Sequence, residues 1–160
     1  MSETVGLELE LNRRRIRLEV RPNETLAEVL RVRLALTGTK VSCDAQVCGT
    51  CTVLLDGRAV SSCTLLAADA DGRSVTSVEG LADPESGTLS RLQRAFIGHA
   101  AFQCGYCTPG FLMSATALLA EIPNPSRQQV IDYLEGNICR CTGYEAIVDA
   151  VLDAAGEEAK

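Results

Sequence analysis

Residues 43–51, CDAQVCGTC, place three cysteines in nine positions with no histidine beside them. Four kinds of site bring thiols this close: a disulfide knot, a structural zinc site, a reactive thiol and an iron-sulfur cluster. The choice among them decides how the rest of the chain is read.

Further along, Cys63 completes the spacing C-x4-C-x2-C-x11-C, and the other four cysteines, Cys104, Cys107, Cys139 and Cys141, have the spacing C-x2-C-x31-C-x-C. The arrangement C-x4-C-x2-C…C is that of plant-type 2Fe-2S sites, in which one loop wraps a binuclear cluster with three thiolates and a neighbouring strand brings the fourth. Structural zinc more often sits between two similar C-x2-4-C knuckles. His99 is the single histidine of the chain, which excludes Cys2His2 zinc and a Rieske centre, since each needs two histidine ligands. It reads instead as a helix-terminal residue, where the C-terminal dipole favours it. A catalytic thiol would want a base, and eight cysteines in two sets of four are a poor account of one nucleophile. An even count is compatible with four disulfides. No export signal is read, however, and in the cytoplasm, the expected compartment, thiols are kept reduced.

The net charge of −6 excludes nucleic acid as the main partner, because phosphate binding needs a basic surface. The one basic run, Arg13–Arg15, lies between two alternating segments and reads as a solvated hairpin turn. The residues after it, IRLEVRPNE, are not the apolar stretch of a twin-arginine signal. No stretch is long and apolar enough to read as a membrane helix.

VGLELEL (5–11) and IRLEV (16–20) alternate with period two and predict paired strands around a turn at Asn12. Leu26, Val29, Leu30 and Leu34 have helical spacing and predict a helix lying on that hairpin. TVLLDGRAVSSC, with a turn at Asp56-Gly57, and RSVTSVEGL predict three further short strands. ADPESG (82–87) is a linker signal, and beyond it the period changes to 3.6. Four helices are predicted: one on Leu89, Leu92, Phe96 and His99; one opening with Thr108 as N-cap and Pro109 at the first helical position; one from the Ser126–Gln129 capping box to Gly136; and one from a Thr142–Glu145 box. The fold class is therefore α+β, with a sheet-bearing first half (1–81), a linker (82–87) and a helical second half (88–160).

Short connections make neighbouring helices antiparallel, so the predicted bundle brings the end of the first helix and the start of the second to the end of the third and the start of the fourth. That gathers Cys104 and Cys107 with Cys139 and Cys141. Cys107 and Cys141 are each read as directly preceding a helix N-terminus, which favours thiolate over thiol. Gly49 in the first loop and Gly105 in the second would let backbone N–H groups approach the sulfurs.

The runs LTGTKVSCDAQVCGTCTVLLDG…SC, FQCGYCTPG and GNICRCTGY together resemble the iron-sulfur subunit of the molybdenum hydroxylases, the xanthine dehydrogenase and carbon monoxide dehydrogenase family, across about residues 5 to 155. The resemblance implies a ferredoxin-like beta-grasp domain and a four-helix domain, each with one 2Fe-2S cluster, in an electron-transfer subunit of an oxidoreductase. The cluster of Cys104, Cys107, Cys139 and Cys141 would lie near a molybdenum-pterin cofactor on a large subunit, and that of Cys43, Cys48, Cys51 and Cys63 would face FAD on a medium subunit, within a dimer of heterotrimers. It also implies that Gln103 and Cys141 approach the pterin. The chain departs from the family pattern at Ser42, where glycine is typical, at Gln46-Val47, where a glycine or acidic residue is frequent, and at Thr50, where alanine is commoner. Two other readings stand beside this one: a free-standing two-cluster ferredoxin-like shuttle, and a zinc-stapled interaction module.

Overall fold

The computed structural model describes residues 4–156 and is an α+β fold: a five-stranded mixed sheet with five α-helices. The alternating segments form β1 (Val5–Leu11) and β2 (Arg14–Val20), an antiparallel pair in which Leu7 faces Leu18 and Leu9 faces Ile16. Asn12 and Arg13 both have positive φ, 49° and 67°, the geometry that matches a two-residue hairpin to strand twist. Arg14 and Arg15 thus belong to β2 rather than to the turn, and Arg15 pairs with Glu8 across the hairpin.

The expected helix on the hairpin is shorter than its periodicity suggests. A Thr25–Glu28 capping box opens α1 (Leu26–Glu28), which widens at once into a π-helical turn, Val29–Arg33. Its register is set by Leu34 N–H donating to the Val29 carbonyl, five residues back, at 3.0 Å. The buried face is as expected for Leu26, Val29 and Leu30.

The three short strands are β3 (Thr52–Leu55), β4 (Arg58–Ser61) and β5 (Ser74–Thr76). Sheet order is β2-β1-β5-β3-β4, with β5 parallel to β1 and antiparallel to β3. β3 is buried along its whole length, because alternate side chains face opposite ways and both faces are covered. Val53 and Leu55 join Leu7, Leu9, Leu26 and Leu30 beneath α1, while Leu54 packs with Met113 and Ala117 of the helical half.

Residues 82–87 form a hydrogen-bonded turn, in which Asp83 N–H donates to the Thr88 carbonyl and the Asp83 carboxylate accepts from the N–H groups of Glu85 and Ser86. The helices beyond it are α2 (Arg91–Gly98), α3 (Thr108–Glu121), α4 (Arg127–Leu134) and α5 (Glu145–Gly156), packed around Phe96, Phe111, Leu118, Val130, Ile147 and Val151. The Ser126–Gln129 box caps α4 as expected, and a Ser90–Gln93 box caps α2.

Two local expectations are corrected. The N-cap of α3 is Cys107, so Thr108 opens the helix and Pro109 is its second residue. Thr142 does not cap α5, because Gly143 and Tyr144 both take positive φ, 70° and 72°, and delay the helix to Glu145. α2 packs on α5, where its first residue, Arg91, and its C-cap, His99, both bond Asp153. Residues 100–103 carry the chain from α2 to Cys104.

Candidate metal centres

All eight cysteines are free thiols. In the sheet half, the loop 43–51 returns on itself through two left-handed residues, Asp44 (φ 53°) and Gln46 (φ 57°). This turns the N–H groups of Val47 and Cys48 onto Cys43 Sγ, each at 3.4 Å. The Cys43 thiol is consequently pushed down to about 6, by the N–H of Val47 first and then by those of Ala45 and Cys48. Cys51 and Cys63 are buried beside Ala27, with Val41 packed on them, and burial pushes Cys63 up to about 11.

In the helical half, the two separated pairs meet: Cys141 Sγ lies 3.6 Å from Cys104 Sγ. Cys107, capping α3, is pushed up to about 12 by burial. Burial also pushes Cys139 upward, but donors more than offset it and bring the thiol down to about 7. Those donors are the Thr142 hydroxyl at 3.2 Å, with the N–H groups of Thr142 and Cys141 at 3.4 Å. Cys141 is expected at a helix start that favours its thiolate, but three residues separate it from α5, and the neighbouring Cys104 thiol pushes it upward instead.

Cys104 Sγ and Cys141 Sγ are in contact, and the strongest electrostatic influence of one thiol on another joins Cys43 to Cys48, Cys63 to Cys51 and Cys107 to Cys139, with weaker ones from Cys43 on Cys63 and from Cys104 on Cys107. Among the described residues no three His, Cys, Asp or Glu side chains are arranged for one metal ion. Two thiol pairs per set is the donor pattern of a binuclear cluster, with two thiolates on each iron, whereas a single tetrahedral ion needs four donors on one point. A buried hydroxyl without a partner, Thr108 Oγ1, stands next to Cys107. Donor chemistry, pairing and the N–H groups aimed at sulfur all fit a 2Fe-2S cluster in each set.

The remaining expected residues also lie at these sites. Gly49 (φ 69°) and Gly105 (φ 77°) adopt backbone conformations that suit glycine. Gln103 Nε2 donates to the Cys141 carbonyl at 2.9 Å, and both residues are exposed.

The two cysteine loops are joined to one another. Ile138 N–H donates to the Cys48 carbonyl at 2.9 Å, the buried Asn137 side chain donates to the Gly49 carbonyl at 3.1 Å, and Tyr106 donates through its hydroxyl to the Val41 carbonyl at 2.6 Å. The backbones meet where neither can carry a side chain: a Cβ on Gly49 would lie 2.5 Å from Asn137 Nδ2, and one on Gly110 would collide with the Gly49 carbonyl. Asn137 and Thr142 are site groups that the sequence patterns miss, and Thr50, noted there only as a departure from the family pattern, proves to place its hydroxyl on Cys48 Sγ. Asn137 bonds across 88 positions, a relation with no local signature, and Thr142 fits a capping-box pattern instead.

Comparison with known proteins agrees with both halves. Residues 9–82 match the 2Fe-2S iron-sulfur cluster binding domain family, and residues 77–152 match a second 2Fe-2S binding domain family. The chain is 54% identical over 156 residues to the nicotine 6-hydroxylase small subunit of Paenarthrobacter nicotinovorans, covering 98% of this chain and 93% of that one. It is 43% identical over 155 residues to the xanthine dehydrogenase iron-sulfur-binding subunit of Escherichia coli O157:H7, covering 95% of each. The crystal structure of quinoline 2-oxidoreductase from Pseudomonas putida 86 contains a chain that superposes with a TM-score of 0.92 at 44% identity, over 96% of this chain and 95% of that one. The chain belongs to the iron-sulfur small-subunit family of the molybdenum hydroxylases, and its part in such an oxidoreductase is electron transfer.

Proposed function

We propose that the chain binds two 2Fe-2S clusters, one on Cys43, Cys48, Cys51 and Cys63 in a beta-grasp domain (1–81), and one on Cys104, Cys107, Cys139 and Cys141 in a helical domain (88–160) beyond the 82–87 linker. The observation that carries this reading is the set of four free thiols in each half, with backbone N–H groups turned onto Cys43 and Cys139 and Cys104 Sγ 3.6 Å from Cys141 Sγ. When bound, each cluster supplies one-electron ferric/ferrous chemistry. The chain's own residues do the rest. Cys43 and Cys139 are held toward the thiolate by amide and hydroxyl donors, and burial of Cys51, Cys63 and Cys139 keeps water from the inner sulfurs. The Cys48–Ile138 hydrogen bond fixes one cysteine loop against the other.

The chain then serves as the relay between a molybdenum-pterin large subunit, facing the helical set, and an FAD-binding medium subunit, facing the sheet-half set, in a cytoplasmic dimer of heterotrimers. Exposed Gln103, bonded to the Cys141 carbonyl, is the contact offered to the pterin together with Cys141. Four large side chains within three positions of the helical set, Phe102, Tyr106, Ile138 and Tyr144, stand exposed, which supports a docked face there over a free shuttle. Substrate choice falls to the large subunit. No helix among the described residues is long and apolar enough to cross a membrane.

The test is purification of the native protein with metal, flavin and sulfide analysis. The expected result is a large complex holding molybdenum and FAD, with about four iron and four acid-labile sulfides for each copy of this chain. A small iron-sulfur protein eluting alone would replace the subunit reading with the shuttle, and a colourless chain with zinc would replace it with the stapled module.

A further inference from the structure

Of the positions at which the chain departs from its family's pattern, Thr50 places a side-chain hydroxyl on a thiol. It is 5% exposed, and its hydroxyl lies 3.2 Å from Cys48 Sγ. The residue is held from both sides: its carbonyl accepts from Lys40 N–H at 3.3 Å, and a Cβ on Gly110 of α3 would lie 3.0 Å from its Cα. While Cys48 is a thiol, either atom can donate. Once Cys48 is a metal thiolate it has no proton, so the hydroxyl must donate or remain unsatisfied in a buried position.

We propose that the Thr50 hydroxyl sets the reduction potential of the sheet-half cluster, raising it by donating to the Cys48 thiolate. This rests on the cluster assignment above. Reduction adds negative charge that the sulfurs share, and a donor to sulfur stabilises the more negative state more strongly. The amides on Cys43 are available whatever side chains the loop carries, but this donor is a side chain that one substitution removes, and alanine has none. The helical set keeps its own hydroxyl, Thr142 on Cys139 Sγ at 3.2 Å. Thr50 thus raises the sheet-half potential relative to the helical one, which makes transfer from the helical set toward the sheet-half set more favourable.

The test is a potentiometric titration of the loaded full-length chain, monitored by electron paramagnetic resonance, for the wild type and for T50S, T50V and T50A. In T50V and T50A the reduction equilibrium constant of the sheet-half cluster should fall about tenfold, a shift of about 59 mV for a one-electron couple. T50S should stay near the wild type, and the helical signal should not move in any variant. If the valine variant fails to load, the smaller alanine decides. An unmoved sheet-half potential in the variants lacking the hydroxyl, an equal shift in T50S, or a matching shift of the helical signal would each overturn the inference. Absence of any 2Fe-2S signal from the wild type would overturn the cluster assignment itself, a result distinct from an unmoved potential.

Discussion

The sheet-half set draws three of its four cysteines from one nine-residue loop, whereas the helical set joins two loops whose inner cysteines are separated by 31 residues. The first is shaped by local backbone: two left-handed residues turn amides onto Cys43. The second exists only because α3, α4 and α5 pack so that Cys104 meets Cys141. A site built locally needs its loop ends held by a sheet, while a site built across helices needs the whole core. The two sets should therefore respond differently to damage.

The largest effect expected is from Leu118→Ala. Leu118 is fully buried in the helical core and contributes nothing to the sheet-half core. Truncation should cost about 2–5 kcal/mol and remove the helical cluster's iron while leaving the sheet-half cluster in place, as read by iron content and denaturant unfolding. Equal loss from both sets would erase the distinction. Gly110→Ala strikes the seam instead, since its Cβ would collide with the Gly49 carbonyl between the two cysteine loops. A cost of about 1–3 kcal/mol is expected, with iron lost from both sets together.

That seam has no signature in the sequence. The hairpin of β1 and β2 and the Ser126–Gln129 box are legible because each is a local pattern with a local cause. The helix after Thr25 is overextended by its pattern, because 3.6-residue spacing does not reveal a π-helical turn. Thr142–Glu145 fits the capping-box pattern, but Gly143 and Tyr144 take left-handed backbone, and the Thr142 hydroxyl goes to Cys139 instead. The meeting of Cys104 with Cys141 is legible from helix connectivity. The Asn137–Gly49 and Ile138–Cys48 bonds carry no signal, since both depend on how α3 docks against β3.

A finer contrast concerns the thiols before metal enters. The thiolate is the nucleophile, so a thiol reacts once the pH exceeds its pKa. Cys43, exposed and near 6, is mostly thiolate at pH 7; Cys107, near 12 through burial, is still protonated at pH 9. Brief alkylation of the metal-free chain at pH 7, mapped by mass spectrometry, should label Cys43 well before Cys107. Raising the pH to 9 should change Cys43 little and leave Cys107 slow. Equal labelling of both would remove the electrostatic difference between these two thiols.

Whether two separate thiol sets each hold their own 2Fe-2S cluster is tested most directly by electron paramagnetic resonance of the reduced, loaded chain with Cys43→Ala and Cys107→Ala. The wild type should show two distinct signals. Cys43→Ala should lose one with about half the iron, and Cys107→Ala should lose the other, each leaving its neighbour unchanged. A single signal in the wild type, or the loss of both in either variant, would contradict the account.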